Sequence, residues 1–581
     1  MPDITITLNG VEKNFPGLNS PAVDRLSTTI SGGGVTGLAG PDGAGKTTLI
    51  RMLAGLLKPD SGEIRVAGFD PITDSVALRA RLGYMPQKFG LYEDLTVIEN
   101  LRLYAELRGL PQSEQQNTFD RLLTFTDLTH FTGRMAGKLS GGMKQKLGLA
   151  CTLLGQPLVL LLDEPGVGVD PIARRELWRM VHTLADDGML ILWSTSYLDE
   201  AEQCRDVLLL NQGKLLYEGK PEKLTDTMNG RSFLLAAQPA ERRRLLQDAL
   251  VQPDVTDGVI QGRYVRLIVK PQTDTRTLLN ALNCPDAQLQ TAKPRFEDAF
   301  IDLLGGGPSH RSALAQIMPQ IPAAPDETVI EAISLTKKFG DFAATDHVDF
   351  QVKRGEIFGL LGPNGAGKST TFKMMCGLMI PTSGRALVLG LDLKTSSAKA
   401  RSRLGYMAQK FSLYGNLTVA QNLTFFSGVY GLRGKAQKQK IADMVSTFNF
   451  DPILRQTTED LPLGFKQRLA LACALMHEPD ILFLDEPTSG VDPLTRREFW
   501  LHINGMVDKG VTVMVTTHFM DEAEYCDRIG LVYHGKIIAA GTPDELKSGV
   551  ASDARPDPSM EDAFIGLVEQ YDKEHTPEET S

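Results

Sequence analysis

Short apolar runs that end in glycine or in acidic residues mark the main elements predicted along this chain. The run Ile357–Leu361 leads into a glycine-rich loop, and a helix-like segment, 372–379, follows that loop. A second run, 481–484, ends in the paired acids Asp485 and Glu486. Short runs without polar alternation are typical of buried parallel strands, whose carboxyl ends carry functional sites. The pattern therefore predicts an α/β fold with a site at the carboxyl ends of its strands.

The glycine-rich loop has a second copy near the start of the chain. Residues 362–370 read Gly-Pro-Asn-Gly-Ala-Gly-Lys-Ser-Thr, and residues 40–48 read Gly-Pro-Asp-Gly-Ala-Gly-Lys-Thr-Thr. In such P-loops the glycines let backbone N–H groups approach a phosphate chain, the lysine reaches the β- and γ-phosphates, and the next hydroxyl can ligate Mg²⁺. A strand-to-helix loop without a ligand is the alternative, and two complete copies argue against it. The nucleotide-binding candidates are Gly40, Gly43, Gly45, Lys46, Thr47, Thr48, Gly362, Asn364, Gly365, Gly367, Lys368, Ser369 and Thr370, with Thr47 and Ser369 also candidates for Mg²⁺.

The whole domain around the loop is duplicated. Lys46 and Lys368 lie 322 positions apart, and so do Gln87 and Gln409. A constant offset indicates an internal repeat. We therefore predict two tandem P-loop NTPase domains, at residues 1–225 and 327–548.

The segment between the repeats has a different pattern. Residues 231–292 read as strand, helix, two strands, helix and strand, which predicts a small ferredoxin-like α+β unit. The sequence Phe-Glu-Asp-Ala-Phe at residues 296–300 recurs as Met-Glu-Asp-Ala-Phe at 560–564, so the second repeat keeps only a terminal helix. The predicted boundaries are an accessory domain at 226–304, a flexible linker at 305–326, and a terminal helix and tail at 549–581.

Composition narrows the class of protein. The 581 residues are 42% apolar and carry a net charge of -10, which predicts a globular protein with no general attraction to nucleic acid or anionic lipid. No apolar run approaches the roughly 18–20 residues that span a bilayer, and no secretory signal opens the chain, so we expect a soluble intracellular protein. The six cysteines show no C-x-x-C spacing, which argues against disulfides and a structural metal.

The paired acids give the predicted sites their chemistry. Asp485 would hold Mg²⁺, and Glu486 would orient and polarise the attacking water. Asp163 and Glu164 repeat the arrangement after the run 158–162. The alternative is a strand that ends in a solvated acidic turn without a site. The P-loop upstream in each repeat argues against this alternative.

A hydroxyl and two glycines open a helix between the loop and the acids of the first repeat, at Ser140, Gly141 and Gly142. Alone, this pattern indicates only an N-cap. Together with the P-loop, Gln87 and the paired acids, it resembles the LSGGQ-like signature of the ATP-binding cassette (ABC) ATPase family, and the resemblance covers both repeats.

The resemblance implies ATP and Mg²⁺ as cofactors and a head-to-tail pairing of the two cassettes within one chain. Each ATP would then lie between the P-loop of one cassette and the signature helix of the other. Gln87 and Gln409 would sense Mg²⁺ and the transport partner. Phe15 and Phe339 would stack on adenine, although a place in the core is an open alternative for both.

Two departures from the family pattern predict unequal sites. His518, expected to contact the γ-phosphate, corresponds to Ser196 in the first repeat. The second signature reads Leu-Pro-Leu-Gly-Phe-Lys-Gln, with Pro462 and Leu463 in place of serine and glycine. Pro462 supplies neither hydroxyl nor N–H. Under head-to-tail pairing both defects fall in the site built on Lys46, so Glu486, His518 and, in the weaker site, Glu164 are the catalytic candidates.

The resemblance favours the ATP-hydrolysing motor of an ABC exporter of drugs or other small molecules. Its expected partners are integral membrane permease subunits of a type-2 exporter, and its expected place is the cytoplasmic face of the bacterial inner membrane. The alternatives are a tandem ABC factor acting in translation or on nucleic acid, and a scaffold with inactive sites. Residues 220–327 contain 13 basic and 13 acidic residues, which argues against a basic nucleic-acid-binding linker.

Overall fold

A computed structural model describes residues 4–16, 20–87, 90–239, 241–322, 326–409, 413–517, 519–552 and 555–575. These form two compact units, each with its own packed core. Unit 1 comprises Met1–Asn229, Pro294–Leu304 and Gly490–Pro493, and unit 2 comprises Gly230–Lys293, Gly305–Ser489 and Leu494–Ser581.

The first cassette, in unit 1, contains a small antiparallel sheet and a larger, mostly parallel one. Its strands are β1 (Thr5–Lys13), β2 (Val23–Ser31), β3 (Val35–Ala39), β4 (Ser61–Val66), β5 (Leu82–Met85), β6 (Val159–Asp163), β7 (Leu190–Thr195), β8 (Asp206–Asn211) and β9 (Lys214–Gly219). Its helices are α1 (Lys46–Leu53), α2 (Ser75–Arg79), α3 (Val97–Leu107), α4 (Gln112–Phe125), α5 (Gly141–Leu153), α6 (Pro171–Asp186), α7 (Leu198–Glu202) and α8 (Pro221–Thr225). The sheet orders are β2-β1-β4 and β5-β6-β7-β3-β8-β9.

The accessory segment, in unit 2, forms its own antiparallel sheet. Its elements are β10 (Ser232–Ala236), α9 (Arg242–Leu250), β11 (Val255–Gln261), β12 (Tyr264–Val269), α10 (Thr275–Ala281) and β13 (Leu289–Thr291), with strand order β11-β12-β10-β13. Leu235, Leu246, Val265 and Leu267 lie in its buried core. The helix α11 (Phe296–Leu303) that follows belongs to unit 1, where it packs against α7 and α8.

The second cassette, in unit 2, repeats the sheet arrangement of the first. After α12 (Ala313–Ile317), its strands are β14 (Thr328–Phe339), β15 (Phe342–Lys353), β16 (Ile357–Leu361), β17 (Ser383–Val388), β18 (Leu391–Asp392), β19 (Leu404–Met407), β20 (Ile481–Asp485), β21 (Thr512–Thr517), β22 (Arg528–Tyr533) and β23 (Lys536–Gly541). Its helices are α13 (Lys368–Met375), α14 (Ser397–Arg401), α15 (Val419–Val429), α16 (Gly434–Thr447), α17 (Leu463–Ala474), α18 (Pro493–Asp508), α19 (Met520–Ala523), α20 (Pro543–Ser548) and α21 (Met560–His575). The orders β15-β14-β17-β18 and β19-β20-β21-β16-β22-β23 confirm the predicted α/β class in both repeats.

Burial explains why the central strands read as uninterrupted apolar runs. Every residue of β3, β6, β16 and β20 is buried. Parallel strands covered on both faces have no solvent side to supply polar residues. Apart from Thr36 in β3, polar side chains therefore come only at the ends of these strands, where the P-loops and paired acids begin.

The two related terminal helices pack in corresponding places. In unit 1, α11 contacts α7 and α8, and in unit 2, α21 contacts α19, α20 and β23. Phe300 and Phe564, which the repeated sequence aligns, are both fully buried. This contact accounts for the recurrence of the Glu-Asp-Ala-Phe sequence after each cassette. Residues 576–581 of the predicted tail lie outside the described residues.

The segment predicted as a flexible linker is ordered over residues 305–322. Ser312 caps α12 by accepting a hydrogen bond from the Ala315 amide, and its hydroxyl lies 3.1 Å from His502 Nδ1 on α18. Leu314 is fully buried. Residues 305–322 thus have packing contacts of their own, made by a few apolar side chains among the glycines and prolines, and the linker at 305–326 stays a prediction.

None of the described helices is long and apolar enough to cross a membrane. All six cysteines are free thiols.

Replacing Leu267 with alanine should lower the local stability of the accessory sheet by about 2–5 kcal/mol, because the lost side chain leaves a cavity in a filled core. Hydrogen exchange of the sheet amides in the full chain measures this loss. Val251→Ala, at a 42% exposed position directly after α9, is the control. Equal exchange in both variants would contradict the assigned core.

Candidate active sites

Each P-loop connects a buried strand to a helix through a backbone that only glycine fits. Gly45 and Gly367, at the helix N-termini, have φ of 103° and 106°. A Cβ at Gly45 would lie 2.2 Å from the Ala22 carbonyl oxygen, and one at Gly367 would lie 2.3 Å from that of Ala344. The glycines therefore hold the loops close to neighbouring backbone and leave the N–H groups of the helix start available for phosphate.

The P-loop lysines are buried, with their ammonium groups at the loops. Lys46 Nζ donates to the Gly40 carbonyl at 2.7 Å, and Lys368 Nζ donates to the Gly362 carbonyl at 2.6 Å. Lys46 also donates to Ser196 Oγ at 3.1 Å. Burial of an ammonium is tolerated when carbonyls or anions surround it, and this is the environment that suits phosphate binding.

The predicted metal-ligating hydroxyls and acids lie together in both cassettes. Thr47 Oγ1 is 3.2 Å from Asp163 Oδ1, and Ser369 Oγ is 3.5 Å from Asp485 Oδ1. Burial raises the pKa of Asp163, and the neighbouring Glu164 raises it further. Asp163 Oδ2 is buried without a hydrogen-bond partner among the described residues. A hard cation beside the hydroxyl would satisfy that oxygen, so the residues fit Mg²⁺.

The catalytic candidates Glu164 and Glu486 have strained backbones, with φ of 52° and 49°. A left-handed conformation is uncommon for a residue with a long side chain and is concentrated at functional sites. Gln87 Nε2 donates to Glu164 Oε2 at 3.0 Å, and Gln409 Nε2 donates to Glu486 Oε2 at 2.6 Å. The structure thus brings both predicted glutamines to the predicted glutamates.

Around the acids, the surroundings differ between the cassettes. In the first, Ser196 Oγ donates to Glu164 Oε1 at 2.8 Å, and Lys46 Nζ lies 3.5 Å from the same oxygen. In the second, Thr516 Oγ1 donates to Asp485 Oδ1 at 2.6 Å and accepts from the Glu486 amide at 3.0 Å. Sequence reasoning missed Thr516, although its place at the end of an apolar strand before a histidine was a usable signal. His518 lies outside the described residues.

The signature helices begin differently, as their sequences predict. Ser140 caps α5, its Oγ accepting from the Met143 amide at 3.3 Å. Pro462 occupies the cap position of α17 and makes no side-chain cap hydrogen bond. A Cβ at Gly142 would meet the Ala173 side chain at 2.5 Å, so this glycine also serves packing.

The two aromatic candidates for adenine stacking are at the surface. Phe15 and Phe339 are 38% and 52% exposed, so a place in the core is excluded for both. Lys13 Nζ and Lys337 Nζ lie 5.7 and 5.4 Å from the respective ring centroids. An exposed ring beside a cation is suited to stacking on a base.

Replacing Lys368 with alanine should weaken ATP binding at one of the two sites about tenfold to a hundredfold, because charge-assisted hydrogen bonds are worth about 1.5–3 kcal/mol. Titration with a fluorescent ATP analogue measures both sites. Lys399→Ala, at an exposed position of α14, is the control. Unchanged binding at both sites would contradict the placement of Lys368 in a phosphate site.

Comparison with known proteins agrees with this geometry. The ABC transporter family matches residues 23–167 and 345–489. The chain is 70% identical, over 578 residues and the full length of both chains, to the "probable multidrug ABC transporter ATP-binding protein YbhF" of Escherichia coli (strain K12). It is 34% identical to the "daunorubicin resistance ATP-binding protein DrrA3" of Streptomyces coeruleorubidus, over 52% of this chain and 97% of that one. The chain therefore belongs to the ABC transporter family, as one of its ATP-binding proteins.

Proposed function

We propose that the protein is the ATP-hydrolysing motor of an exporter for drugs or other small molecules. The observation that carries the proposal is the repeated group of P-loop lysine, hydroxyl, paired acids and glutamine. The relatives named for drug resistance support the substrate class. We further propose that the protein works at the cytoplasmic face of the bacterial inner membrane, with permease subunits of a type-2 exporter.

The chemistry proposed for the second cassette follows from its contacts. Lys368 and the start of α13 bind and orient the phosphates. Ser369 and Asp485 would hold Mg²⁺, which when bound neutralises charge on the phosphate oxygens. Glu486, fixed in a strained conformation, orients the attacking water, and Gln409 holds the carboxylate in place.

The two cassettes are proposed to pair head to tail within the chain, so that each site combines one P-loop with the opposite signature helix. The site on Lys368 would then use the intact cap at Ser140. The site on Lys46 would use the altered helix that begins at Pro462, and it has Ser196 where the other cassette has His518. One site should hydrolyse ATP, and the other should chiefly bind it.

We also propose five segments along the chain. They are the first cassette at 1–225, a ferredoxin-like accessory domain at 226–304, a linker at 305–326, the second cassette at 327–548, and a terminal helix and tail at 549–581.

The first test compares the two glutamates. Glu486→Gln should remove most ATPase activity, whereas Glu164→Gln should cost far less. Each donor lost around the transferred phosphoryl group is worth roughly 3 kcal/mol, or about a hundredfold in rate, so the site on Lys46 should already be slow. Steady-state rates at saturating ATP, with folding confirmed by circular dichroism, measure the difference. Equal losses from both variants would exclude the proposed asymmetry.

The second test identifies the partners. Tagged protein extracted from its native membranes in mild detergent should copurify with multi-span permease subunits. Fractionation should find it on membranes only when those subunits are present. Recovery of ribosomes in place of permeases would instead favour a tandem ABC factor acting in translation.

A further inference from the structure

Two adjacent arginines of the accessory helix α9 are buried against the second cassette in unit 2. Arg242 and Arg243, 5% and 7% exposed, both form ion pairs with Asp527, the residue directly before β22. Burial of charged groups is costly unless each is paired. The contact is therefore specific, since it requires an acid at this position of the cassette.

A second buried ion pair lies beside the first. Asp257 of β11 pairs with Arg497 of α18 at 3.0 Å, and Arg497 Nη1 donates to the Tyr525 hydroxyl at 2.6 Å. Leu501, also on α18, belongs to the apolar core of the accessory sheet. The accessory unit thus completes part of its own core with a side chain of the second cassette.

The turn between β11 and β12 adds contacts to the same face. The Gly262 amide donates to the Glu524 carbonyl at 3.1 Å, and the Arg263 amide donates to Asp544 Oδ2 at 2.8 Å. Arg242 Nη1 donates to the Gly262 carbonyl at 2.6 Å, which ties α9 to this turn. Helix α9 and the β11–β12 turn therefore contact the second cassette together and are bonded to each other.

The first cassette has a different set of residues at the matching positions. Arg205, Arg179 and Gln203 stand where the second cassette has Asp527, Leu501 and Tyr525, 322 positions later. If the accessory unit were bound to the first cassette in the same way, Arg205 would repel Arg242 and Arg243. Arg179 would then place a charge in the apolar core of the accessory sheet. The residues that bind the accessory unit are thus present in the second cassette and replaced in the first.

Asp527 also holds the strand that leads into the second P-loop. Its Oδ2 accepts a hydrogen bond from the Ile357 amide at 2.8 Å, and its own amide donates to the Ile357 carbonyl at 2.9 Å. Burial tends to raise the pKa of Asp527, but Arg243 and Arg242 outweigh it and lower the pKa, so the carboxylate stays charged. In the first cassette, the matching contact among the described residues is the backbone bond from the Arg205 amide to the Val35 carbonyl at 2.9 Å.

We propose that Arg242, Arg243 and Asp527 are positioning residues for the second ATP site. The accessory unit fixes Asp527, Asp527 fixes the start of β16, and β16 sets the position of the P-loop that begins at Gly362. The ATP affinity of this site then depends on whether the accessory unit is docked. The inference rests on the proposed function, because the test reads out ATP hydrolysis and the proposed function assigns that hydrolysis to the second cassette.

The test removes the ion pairs to Asp527 by replacing the two accessory arginines, and it leaves every residue of the second cassette unchanged. In the full chain, Arg242→Ala with Arg243→Ala should raise the KM for ATP about fivefold or more and change kcat less than about twofold, as expected when ground-state binding is weakened. Replacing both arginines with lysine keeps the charges and should restore most of the affinity. Arg244→Ala, on the same helix with its side chain 82% exposed, should leave KM unchanged.

Hydrogen exchange separates positioning from simple loss of a fold. In the alanine pair, amides of α9 and of residues 357–361 should exchange faster together, whereas those of β3 in the first cassette should not change. If the alanine pair does not fold, Asp527→Asn, which keeps the shape of the side chain, should give the same shift in KM.

An unchanged KM in the alanine pair, or a fall in kcat alone, would overturn the inference. A wild-type protein without ATPase activity would instead count against the proposed function.

Discussion

The whole site depends on the placement of an acid beside the P-loop hydroxyl, at the ends of two strands that are not neighbours in the sheet. In each large sheet one strand separates the P-loop strand from the acid strand: β7 in the first cassette and β21 in the second. Parallel pairing holds all three in register, so that Thr47 meets Asp163 and Ser369 meets Asp485. Every residue of these strands is buried in both cassettes. Loss of register in any one of them would separate the hydroxyl from the acid.

Much of this arrangement could be predicted because its signals are contiguous in the sequence. Each P-loop and each acid pair occupies fewer than ten residues, and the adjoining apolar runs indicate their strands. The element order of the accessory unit was also predictable, from the spacing of its apolar runs. The backbone strain at Glu164 and Glu486 was not, because glutamate carries no sequence sign of a left-handed conformation.

What could not be predicted depends on contacts between residues far apart in the chain. The packing of residues 305–322 includes the contact between Ser312 and His502, which lies 190 positions further along the chain. The exposure of Phe15 and Phe339 likewise depends on what the fold places around them, since phenylalanine is more often buried than exposed. Composition describes such segments only on average, whereas a few buried contacts decide their structure.

Duplication explains how the two cassettes could keep one fold and acquire different roles. The first carries Arg205 followed by Asp206, and the second carries Asp527 followed by Arg528, so the order of charges is reversed at matching positions. In the first, Arg205 pairs with its neighbour and with the Gly32 carbonyl. In the second, Arg528 pairs with Glu356, which leaves Asp527 to receive the accessory arginines. Because this reversal leaves the backbone bond to the P-loop strand intact, the fold tolerates it, and a purely structural position becomes a docking point.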